Sequence, residues 1–194
     1  MDKQRRNVVI TGAGVALLGL VSSGCTTTSG TGGDPAARRQ ALDSGADSAL
    51  SRLYAQQPGS KELVSSARGV LVFPSVVSAG FLIGGSHGQG VLRKAGKTTG
   101  YYSMTGGSAG LLAGAQSQAV FILFMTDDAL SRFKSSNGWT VGADANVTLL
   151  TVGADASITG RTAQQPVVGF VLTNSGLMGS ISLSGSRITP LNLN

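Results

Sequence analysis

Between residues 42 and 53 the apolar side chains Leu42, Ala46, Ala49, Leu50 and Leu53 recur at i, i+4, i+7, i+8 and i+11, while Arg38, Arg39, Asp43, Asp47 and Ser51 fall elsewhere on the wheel. That period predicts an amphipathic helix over 38–54, ending before Pro58. A second short helix is expected with Ser60 as N-cap, running through Arg68 to a stop at Gly69. Beyond Gly69 the period becomes strand-like. Segments at 70–73, 80–92, 100–104, 110–125, 140–159 and 167–186 are separated by Gly and by turns, notably Ala95-Gly96-Lys97 and Asn174-Ser175-Gly176. Thr126 is placed to cap a third helix. Its first turn holds Asp127 and Asp128 at the positive end of the helix dipole, Leu130 and Phe133 face inward, and Asn137-Gly138 ends it. Thr-Val-Gly-Ala-Asp-Ala occurs at 140–145 and again at 151–156, which reads as two similar strands of a hairpin, too short to be a solenoid unit.

Glycine inside strands weakens them unless the geometry needs it. Gly84, Gly85, Gly88, Gly90, Gly106, Gly107, Gly110 and Gly114 permit bulges, sharp bends and close backbone approach. The expected fold is therefore α+β: a strongly curved, mostly antiparallel sheet or small barrel with a few covering helices. One Trp, three Tyr and six Phe cannot furnish the two aromatic girdles of an outer-membrane barrel. The 38–54 helix has two readings, lying on a bilayer or covering the sheet, and core packing is the preferred one.

The amino terminus reads as a targeting device. Lys3, Arg5 and Arg6 precede an apolar run over 8–21, and the small residues Ser22-Ser23-Gly24 lead to Cys25. The run is broken by three glycines and falls short of the roughly 20 apolar residues that a spanning helix needs. Residues 1–24 are thus expected to be a signal peptide, and Cys25 a lipid-attachment site of the bacterial lipoprotein kind. Ser22 departs from that pattern, where Leu or Val is usual, and a buried or incidental Cys is the alternative. Thr26 after the Cys resembles sorting to the outer membrane. Residues 25–35 are small, polar and flexible, which suits a tether ahead of a domain over 36–194. The expected location is the cell envelope, lipid-anchored, at the outer membrane facing the periplasm or the cell surface.

Composition narrows the chemistry. With one Cys there is no disulfide framework, and one Cys with one His makes a zinc site and any further cofactor unexpected. The net charge is +6, and removal of 1–24 leaves the remainder mildly basic, which suits anionic lipid surfaces or acidic partners. Nucleic acid is not expected, since aromatics do not interleave with the bases.

Gly96-Lys97-Thr98 ends like a phosphate-binding loop, but Val91 stands where the motif requires Gly, and a strand rather than a helix follows. Gly84 to Gly88 around Ser86, and Gly106 to Gly110 around Ser108, have nucleophile-elbow spacing, which is cheap in so Gly- and Ser-rich a chain. His87 adjoins Ser86 on a strand, where successive side chains point to opposite faces, so it cannot readily serve Ser86 as a base; only Ser108 could be reached through space. No enzyme is expected. Asp144 and Asp155 occupy equivalent repeat positions, and a solvated offset pair is preferred over a joint acid-base or cation site. Arg93, Lys94 and Lys97 gather on one turn, either as an ordinary hairpin tip or as a phosphate-contacting patch with Lys61 and Arg68 as neighbours.

The β-rich part, from about Ser60 to Leu191, resembles the SYLF domain family. The resemblance is carried by the stretch from Gly69 to Phe81, by Gly84-Gly-Ser-His-Gly-Gln-Gly-Val-Leu92, by the run from Tyr102 to Ser117, and by Gly142-Ala-Asp-Ala145. It departs at Ser78, where the family often has Lys, and at His87, where it often has a small residue. The resemblance implies a phospholipid-binding module favouring anionic or phosphoinositide-like head groups; the actin binding known in eukaryotic members does not carry over to an envelope. The alternative is a structural or partner-binding envelope protein whose anchor alone touches the membrane.

Overall fold

The computed structural model describes residues 34–151, 164–173 and 183–193. The chain divides into two units, Met1–Thr31 and Gly32–Asn194, and every described residue lies in the second. Cys25, the 152–159 part of the expected fifth segment, Asp155 and the turn at 174–176 lie outside the described residues.

Helix α1 (Pro35–Gln56) opens on Asp34, whose carboxylate accepts from the Ala36 amide at 3.0 Å, with Pro35 in the first turn. Its buried stripe is Ala46, Ala49, Leu50 and Leu53, all packed on the sheet, so this helix covers the core. Helix α2 (Ser60–Ser66) is shorter than expected at its carboxyl end. Gly59, at φ 81°, is its cap, whereas Ser60 is buried and donates its hydroxyl to the Leu53 carbonyl at 3.3 Å, tying α2 back to α1.

The first four expected strand segments fuse into two. Strands β1 (Gly69–Lys94) and β2 (Lys97–Phe124) form one antiparallel hairpin paired from Gly69 with Phe124 to Lys94 with Lys97. Register shifts between Phe73 and Val76, Gly80 and Leu82, and Leu92 and Arg93 bend it. Pro74 is tolerated because it falls in the first of these shifts, on a strand with one partner. The other edge of β2 takes β6 (Arg187–Pro190) at 102–105 and β5 (Val167–Thr173) at 118–124. Strands β3 (Trp139–Thr140) and β4 (Thr148–Thr151) bring the sheet to six strands among the described residues, with the β4–β5 pair parallel. The α+β fold with a strongly curled, mostly antiparallel sheet is as expected.

The curl brings two arms of the same strand together. A Cβ on Gly90 would collide with the Val72 carbonyl oxygen and come within 2.6 Å of the Phe73 ring, and one on Gly88 would meet Val76 at 2.8 Å. Inside the curl lies one core, built from Phe73, Leu92, Met104, Ile122 and Phe124 together with Phe133 of α3 (Asp127–Ser135). The opposite face of β2, with Ala119, Phe121 and Leu123, packs under α1 and α2 as a second core. Both faces of 119–124 and 167–172 are therefore buried, which accounts for their unbroken apolar runs.

The first copy of the repeat is not a continuous strand, and the second copy beyond Thr151 lies outside the described residues. The first copy ends β3 at Thr140 and then turns, with Gly142 at φ 88°, and the Asp144 carboxylate accepts from the Thr140 amide at 2.5 Å. An Asp side chain closing its own turn outcompetes strand continuation. In the β1–β2 turn, Ala95 and Gly96 have φ 49° and 77°, the type I′ geometry that favours Asn-Gly. Ala95→Asn is therefore expected to raise stability by about 0.5–1 kcal/mol, since Ala carries a left-handed strain that Asn tolerates; a melting curve unchanged within error would contradict this.

Candidate functional site

The hairpin tip, α1 and α2 meet around one cleft of about 640 Å³. Leu50 and Tyr54 of α1, Val64 of α2 and Val70 of β1 supply apolar walls, Ala95 and Gly96 of the turn close one side, and Lys61 and Arg93 stand at its border. Of the five cations expected near one another, Lys61 and Arg93 thus share a cleft, and Lys94 and Lys97 directly flank the turn residues that line it.

Arg93 is spoken for. Its side chain is only 12 % exposed, its Nη1 contacts Asp47 Oδ1 at 2.5 Å, and its Nη2 donates to the Asp43 carbonyl at 3.0 Å. Asp43 also accepts from the Thr98 hydroxyl at 2.6 Å and the Tyr101 hydroxyl at 3.0 Å. One helix face therefore holds the hairpin tip through Asp43 and Asp47, one turn apart. The hydrogen bond from Arg93 holds the Asp47 carboxyl below the ordinary aspartate value. Burial, then the bond to Asp43, push the Tyr101 phenol up, and burial does the same for Tyr54 at the cleft wall. Arg68, one residue beyond the cleft-lining Ala67, pairs instead with Asp127 at 3.3 Å, in an exposed bridge.

Lys61, Lys94 and Lys97 are exposed and form no ion pair among the described residues. Lys94 and Lys97 face each other in the hairpin register, and like charges so placed repel. The site's positive field consequently rests on three lysines.

Asp43 and Asp47 were legible only as polar positions on the α1 wheel. Their i,i+4 spacing is the signal that an acidic face awaited a basic partner. Elsewhere, His87 is exposed on β1, and the register sets Ser108 opposite Gly84, three positions from His87, a span of about 10 Å along a strand. No group of three or more His, Cys, Asp or Glu with metal-binding placement occurs among the described residues.

Residues 105–192, from the middle of β2 to just past β6, match the family model described as Ysc84, Las17-binding protein actin regulator. Among curated proteins, none matches the chain.

Proposed function

We propose that the chain, whose residues 105–192 match the Ysc84 family model, is a lipid-anchored cell-envelope protein whose domain binds phospholipid surfaces through the lysine-bearing hairpin tip. The anchor is Cys25, after cleavage of 1–24, and 25–35 tether the domain over 36–194 to the outer membrane. The observation that carries this reading is the opposition of Lys94 and Lys97 across a two-residue turn, beside Lys61. Their mutual repulsion is relieved by an anionic surface and by nothing on the described residues. Arg93 serves the reading indirectly, by docking α1 so that the tip is held rigidly.

Flotation of Gly32–Asn194 with vesicles tests it. Binding is expected to require anionic lipid and to weaken with salt, because the contacts are exposed and screened. Lys94→Ala with Lys97→Ala should weaken it about thirtyfold, at roughly 1 kcal/mol for each Lys near the surface. Binding that is indifferent to the double substitution removes the tip from the mechanism. No binding to any vesicle leaves a structural or partner-binding lipoprotein.

A further inference from the structure

The cleft beside the tip has a character that a flat membrane contact does not use. Its volume, about 640 Å³, is that of a small-molecule site rather than of a packing defect. Its walls are Leu50, Tyr54, Val64 and Val70, an apolar lining left open between two helices and a strand. Of the two cations at its border, Arg93 is neutralised by Asp47, whereas Lys61 has no ion-pair partner among the described residues. An apolar trough with one unspent positive charge at its border complements one chemistry: a single alkyl chain carrying an anionic head.

We propose that this cleft binds a single-chain alkyl phosphate, the chain lying along Leu50, Tyr54, Val64 and Val70 and the head meeting Lys61. The inference rests on the reading of the chain as a lipid-binding protein and adds to it a site for one lipid molecule, distinct from the tip lysines that meet a surface. Lys suits the head because its ammonium is a compact charge on a flexible stem and needs no fixed fork geometry.

Gly32–Asn194 contains both cores and every described element, so it is the form to use. Calorimetric titration with dodecyl phosphate below its micellar range is expected to show one site. Inorganic phosphate alone and a dodecyl chain with a neutral head should each bind at least tenfold more weakly. Lys61→Ala should weaken dodecyl phosphate about tenfold. Ser51→Trp should abolish binding: this exposed α1 residue lines the cleft, and an indole there occupies the space the alkyl chain would take. Equal binding of the neutral-headed chain, equal binding of inorganic phosphate, no binding at all, or binding that survives Ser51→Trp each overturn the proposal. The two readings fail separately. Ser51→Trp should still float with anionic vesicles, and the Lys94→Ala, Lys97→Ala protein should still bind dodecyl phosphate; failure of unsubstituted Gly32–Asn194 to float with any vesicle, with dodecyl phosphate still bound, refutes the surface reading and leaves the cleft standing.

Discussion

Gly90→Ala is expected to cost about 3 kcal/mol, at the upper end of overpacking penalties, because the added methyl meets backbone rather than a movable side chain. The Val72 carbonyl lies within collision distance of that methyl, and the Phe73 ring carbon at 2.6 Å blocks retreat toward the core. Relief requires the two arms of β1 to part, which would open the inner core containing Phe73 and Leu92. For a domain of this size, such a loss lowers the melting temperature by about 6–12 °C. Gly107→Ala is the control: a Cβ there meets nothing within 4 Å, so its melting curve should match the parent. Equal behaviour of the two variants would mean that the arms of β1 are not in contact.

The second large effect is expected at Phe133. It is 1 % exposed and stands at the centre of an aromatic cluster, with ring centroids 4.9 Å from Tyr102, 4.8 Å from Phe124 and 5.6 Å from Trp139, the last pair almost perpendicular. Edge-on and tilted contacts of this kind add to the burial of the ring itself. Helix α3 has only Leu130 and Phe133 buried, so Phe133 is its principal peg in the sheet. Phe133→Ala should therefore cost about 3–5 kcal/mol, the transfer of the ring plus the cavity left behind. Set against a typical total of about 5–15 kcal/mol, that brings the fold close to its limit. Urea unfolding followed by Trp139 fluorescence checks it: the midpoint should fall with the slope unchanged, and a change below about 1 kcal/mol would show that α3 is held by something other than this ring.

Helices α1, α2 and α3 and the curled sheet were legible because their signals are local. Leu42, Ala46, Ala49, Leu50 and Leu53 keep helical period, and Thr126 accepts from the Ala129 amide at 3.2 Å, as a cap should. The continuity of β1 was not legible, since Pro74 and the glycines at 80–90 look like breaks. Only pairing with β2, across 28 residues, reveals that bulges absorb them. The first copy of the repeat departs from a strand for a related reason: strand-like composition at 140–145 is overruled by one Asp144 hydrogen bond. At the site, charge counting found the tip lysines, but which cation remained unspent depended on Asp43 and Asp47, distant in sequence and adjacent only after folding.

The two-residue turn at Ala95-Gly96 has a kinetic corollary. Because β1 and β2 are joined there and paired outward over more than twenty positions, each new pair extends an existing ladder and closes almost no additional loop. The sheet can grow like a zip from a nucleus that forms in about 1–10 μs, the time of an isolated hairpin. Strands β5 and β6, which dock on β2 from far along the chain, then find their edge already laid down.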